Sequence, residues 1–184
     1  ATLARFLYGL PFAALFLAGL VWLRAETPPR PGLDTVGWAA AGGLAQIAAT
    51  ALLLSAMRSS SFLLAIAYTK SEPAMVLATG WALLGETLSR LQIGAILVAT
   101  AGVMLMSWPA PERRGGDWLR PVLYGVGSGA LWAVSAVCFR GAIVSLEGRA
   151  DFVMAASTAL VLSLVIQTVA LTSWLRRTRP MAPP

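Results

Sequence analysis

Apolar positions gather into six long blocks along the chain, at roughly 3–23, 36–57, 61–84, 91–108, 119–139 and 152–175. A helix needs about 20 such residues to cross the hydrocarbon of a bilayer. The pattern therefore predicts an all-α fold, a polytopic integral membrane helix bundle with about six transmembrane helices. The first block is too long for the apolar part of a signal peptide and opens on Arg5, so it reads as a span.

Polar and helix-breaking residues mark the connections. Thr27-Pro28-Pro29-Arg30-Pro31-Gly32 cannot continue a helix, and 109–117, rich in Pro, Gly and charge, reads as a linker between an N-terminal part at 1–108 and a C-terminal part at 118–184. A tighter turn joins the third and fourth spans, where Gly85 is placed to end one helix and Ser89 with Gln92 to form a capping box for the next. Asp151 is placed to cap the sixth span. Trp22, Trp108, Trp118 and Trp174 fall at span ends, where an amphipathic ring suits the headgroup layer.

Composition agrees with the pattern: 58% of residues are hydrophobic, 12% are charged and mean hydropathy is +0.74. The net charge of +6 comes from arginines spread among the connections, without interleaved aromatics. That arrangement suits anionic lipid headgroups and gives no nucleic-acid surface. The chain has no histidine, which removes the commonest general base, and its one cysteine, Cys138, has no disulfide partner. No cofactor motif is present. Gly125-Val126-Gly127-Ser128-Gly129 has glycines like those of a phosphate loop, but no strand precedes it and no lysine follows. Gly125 and Gly129 at GxxxG spacing read instead as a close helix-packing surface.

The third span holds the chemistry. Lys70, the only lysine, lies in Lys70-Ser71-Glu72-Pro73, and Glu72 is the one acid well inside a span. Ionisable groups at that depth are costly and tend to mark ligand or ion pathways. Pro73 withholds the N–H that the Thr69 carbonyl would take in a regular helix, which predicts a kink within the span. Kinked helices near the midplane expose backbone groups to a cavity, and secondary transporters build substrate sites there. Lys70 is thus a candidate for an anionic substrate group, and Glu72 for an ammonium group or a coupling proton. Tyr68 and Trp132 are candidate aromatic walls, as is Trp81. Gln46 is a candidate polar contact, together with Thr50, Ser128, Ser135, Thr158, Ser163 and Gln167, each of which competes with a plain structural hydrogen bond. Glu86 and Arg90, four apart at the span end, are a candidate gate or junction pair, with an exposed i,i+4 ion pair as the ordinary alternative.

The third and fourth spans also carry a family resemblance. The stretch 65–86, AIAYTKSEPAMVLATGWALLGE, with its proline and terminal Leu-Gly-Glu, resembles the fourth helix of the EamA-type domain of the drug/metabolite transporter superfamily. Thr87-Leu88-Ser89, Gln92-Ile93-Gly94 and Ala101-Gly102-Val103-Met104-Leu105 are similar to that family's next junction and fifth helix, and Arg5 opens a span as in its second helix. Tyr124 to Arg140 resembles the first helix of a second repeat. The resemblance implies a fold of ten helices in two inverted five-helix repeats. Residues 1–108 would then be a first repeat lacking its first helix, and 118–184 the first two helices of the second.

It further implies a multipass secondary transporter of small organic solutes, metabolites such as amino acids or drugs, in a bacterial cytoplasmic (inner) membrane. Such a protein works by alternating access. Its partners would be the substrate, the lipid bilayer and a coupling proton or ion, and it would not be an enzyme. The competing readings are a non-transporting membrane subunit and a membrane-embedded lipid-modifying enzyme.

Overall fold

The computed structural model describes residues 2–59, 69, 71–85, 87, 89–106 and 119–178. Among them are six helices: α1 (Thr2–Arg24), α2 (Leu33–Ser59), α3 (Glu72–Leu84), α4 (Arg90–Met106), α5 (Leu119–Val144) and α6 (Phe152–Thr178). Four contain stretches long and apolar enough to cross a membrane, Phe6–Arg24, Leu33–Arg58, Val122–Val144 and Phe152–Thr178. Helices α3 and α4 have 13 and 17 described residues, and 61–68 and 107–108 of the blocks that predicted them lie outside the described residues. The chain is a polytopic helical membrane protein.

Local chemistry sets several of these boundaries. Gly85 adopts a left-handed conformation, φ 66° and ψ 20°, and its N–H turns back to the Trp81 carbonyl at 3.1 Å. That closes α3, because a residue with a Cβ is strained at this φ. Ser89 and Gln92 then open α4 with the capping box expected from their spacing. The Ser89 N–H donates to Gln92 Oε1 at 2.9 Å, and the Gln92 N–H donates to Ser89 Oγ at 3.3 Å. Asp151 caps α6 as expected, its carboxylate accepting from the N–H groups of Phe152 and Val153.

The chain divides into two compact units, and the boundaries fall inside α2 and α5. One unit comprises Ala1–Leu44 and Cys138–Pro184. In it α1 runs antiparallel to α6, with Gly9 opposite Leu164 and Arg24 paired with Asp151. The start of α2 lies antiparallel to the end of α5, held by a 2.7 Å hydrogen bond between the hydroxyls of Thr35 and Ser145. Small residues let these backbones close up. A Cβ on Gly141 would meet the Trp38 ring at 2.8 Å, and one on Gly42 would meet the Phe139 ring at 2.8 Å. Ala39, Ala142 and Ala159 form the centre, covered by Trp38, Ile143, Leu162 and Ile166. Between helices in lipid, packing of this kind takes the place of a hydrophobic driving force.

Outward-facing side chains are apolar, as a lipid contact requires. On α1, Tyr8, Phe12, Leu15 and Phe16 are exposed at helical spacing, and Trp22 and Trp174 are exposed near the ends of their helices as expected of interfacial rings. Trp108 and Trp118 lie outside the described residues. Beyond the spans, the Arg24 guanidinium hydrogen-bonds the Asp151 carboxylate and holds it below the usual carboxylate range, and the two capping N–H groups act in the same direction.

The other unit is Ala45–Val137. Here α5 lies antiparallel to the second half of α2. The Ser128 hydroxyl donates to the Ala49 carbonyl at 2.8 Å, and Gly127 faces Leu52, whose Cδ1 would be 3.3 Å from an added Cβ. The candidate site lies within this unit.

Candidate functional site

The site starts at the first turn of α3. Ser71 precedes the helix with φ −70° and ψ −13°, Glu72 is its first residue and Pro73 its second. A proline is tolerated there because first-turn N–H groups have no partner within the helix. Pro73 is the second residue of α3, and the first half of the span in which the sequence places it, 61–68, lies outside the described residues. Glu72 is half-buried. It is the one described acid that is not exposed, since Glu26, Asp34, Glu147 and Asp151 all face outward.

Helix α5 approaches this turn through Gly129. An added Cβ there would lie 2.9 Å from Ser71 Oγ, 3.0 Å from the Thr69 carbonyl oxygen and 3.4 Å from the Glu72 nitrogen. Ser71 is 4% exposed and Gly129 is buried, so this contact is dry. The expectation that the glycines of 125–129 serve close packing is met at Gly129, and the surface they pack against is the turn that carries Glu72.

Gln46 and Trp132 are both half-buried in the same unit. The contact of Ser128 with Ala49 fixes an antiparallel register between α5 and α2. One turn further along α5 and one turn back along α2, that register sets Trp132 and Gln46 at the same height. Trp132 follows Gly129 by three positions, so it stands one turn above the Glu72 contact on a shared side of α5. Of the candidates, the structure sets the Glu72 turn against Gly129 of α5, while Gln46 and Trp132 lie in the same unit on α2 and α5. Arg90 is not part of this group. It is exposed at the first position of α4, beyond the Gly85 turn. Lys70, Tyr68 and Glu86 lie outside the described residues.

The other polar candidates separate by what they bond. Thr50, Thr158 and Ser163 donate to carbonyls of their own helices, at Gln46, Met154 and Leu160, each at 2.8 Å. Gln167, 1% exposed, reaches across to the Gly43 carbonyl at 3.4 Å, and Ser128 reaches across to Ala49. These are structural bonds. Trp81 is 68% exposed. Sequence reading passed over Ser71, whose burial against Gly129 follows from a contact 58 positions away (129 − 71). Its signal was its place beside Glu72 and Pro73.

A helical membrane protein with a half-buried acid at a proline-bearing helix start is the class of molecule defined so far. Residues 1–108 match the EamA-like transporter family, and the chain belongs to that family. No curated protein and no solved structure matches the chain.

Proposed function

We propose that the protein is a secondary transporter that moves small organic solutes across a bacterial inner membrane by alternating access, with Glu72 as the acid of its substrate site. The carrying observation is the position of Glu72, the one described acid held away from solvent, at the start of α3 and against the dry face of α5. Membership of a transporter family supports the class. Ionisable side chains inside membrane bundles tend to mark ligand or ion pathways. Glu72 accordingly receives a substrate ammonium group or the coupling proton. Lys70, two positions before it, takes the anionic end of a zwitterion, and Gln46 and Trp132 supply a polar contact and an aromatic wall. Amino acids and amphiphilic amines are the solute classes with this chemistry.

Reconstitution of the complete protein in proteoliposomes tests the reading, with radiolabelled amino acids and organic amines as probes. Substrate-dependent flux that falls in Glu72→Gln and Lys70→Ala is expected. Flux unchanged in both variants would remove these residues from the pathway. An enzyme would consume the probe, and a scaffold would neither move nor alter it.

A further inference from the structure

The Gly127-Ser128-Gly129 segment of α5 makes three contacts in three consecutive residues, and they lie on two different partners. Gly127 and Ser128 fix α5 on α2, through Leu52 and the Ala49 carbonyl, while Gly129 meets the backbone of Thr69 and Glu72 and the side chain of Ser71. One helical turn of α5 therefore touches both α2 and the turn that bears Glu72. The two contacts differ in how they yield. An added Cβ at 127 would meet the end of a leucine side chain, which can rotate, whereas one at 129 would meet, besides the Ser71 hydroxyl, the Thr69 carbonyl oxygen at 3.0 Å, and a backbone oxygen cannot move without moving the turn.

We propose that Gly129 is a positioning residue: by admitting the backbone of Thr69 and Glu72 to close contact with α5, it sets how near Glu72 stands to α5. The proposal rests on the reading of Glu72 as the acid of the site. Bulk at 129 displaces the Glu72 turn while α5 stays seated on α2. The glycine-rich segment that resembles a phosphate loop thus serves as a bracket for a carboxylate.

Labelling of Glu72 by dicyclohexylcarbodiimide, an apolar carboxyl reagent, measures its placement without a known substrate. The full-length protein is reconstituted in liposomes, and the initial rate of adduct formation on the Glu72 peptide is read by mass spectrometry. Gly129→Ala changes that rate by about threefold or more, and Gly127→Ala, the same substitution two residues away, leaves it near the original value. Adding Ser71→Ala to Gly129→Ala removes the oxygen that the new methyl meets, so the double variant returns part of the way; Ser71→Ala alone has a smaller effect. Equal rates in Gly129→Ala and the unsubstituted protein would overturn the proposal, as would equal changes at 127 and 129. Failure of the underlying reading is seen separately, as undiminished probe flux in Glu72→Gln. Absence of label on Glu72 in the unsubstituted protein would overturn the bracket.

Discussion

The two units place their carboxylates in opposite circumstances. In the unit of Ala1–Leu44 and Cys138–Pro184, Asp151 sits beyond the spans, half-exposed, capping α6 and paired with Arg24, while the interior is alanine, glycine and bulky apolar side chains. In the unit of Ala45–Val137, Glu72 is half-buried at the start of a short helix. The first arrangement asks little of the bilayer, because both charges keep access to water. The second sets a carboxylate partly inside a helical bundle, and the proposed function rests on that position.

This contrast can be broken in order of effect. The largest response is expected at Glu72: Glu72→Gln lowers probe flux by about tenfold or more, while the exposed Glu26→Gln leaves it unchanged, as initial rates in proteoliposomes will show. Next comes packing in the other unit. Gly141→Val drives a side chain into the Trp38 ring and costs about 1–3 kcal/mol, measured as a lower thermal midpoint in detergent, with flux per folded molecule preserved. Ser128→Ala removes one buried interhelical bond and costs about 0.6 kcal/mol, since comparable bonds in membrane helices are worth little.

The smallest effect belongs to the exposed ion pair. The Asp151 carboxyl is held below its unfolded value of about 3.9, so its contribution is present above that pH and is lost as pH falls through the lower, folded value. Asp151→Asn keeps a capping side chain but loses the charge. It is expected to flatten the acid limb of a thermal-midpoint titration and to change little at neutral pH.

Much of this organisation was legible along the chain. The left-handed Gly85, the Ser89–Gln92 box, the Asp151 cap and the interfacial Trp22 and Trp174 all follow from interactions within a few residues, or between a residue and the lipid boundary. Polar residues within spans were hardest. Thr50 bonds its own helix and Ser128 a neighbour, although both are short hydroxyl residues in apolar runs.

The sequence by itself determined that the chain is helical and membrane-embedded, where several helices begin and end, and that Glu72 stands apart among its acids. These depend on composition and on local hydrogen bonding. Only the tertiary structure decided that Arg24 meets Asp151, that Thr35 meets Ser145 and that Gly129 admits the Glu72 turn. The physical reason is that helices apolar on every side carry no stripe to name the inward face. Small residues, rather than hydrophobic contrast, choose the contacts, and each choice depends on a partner far away in the chain.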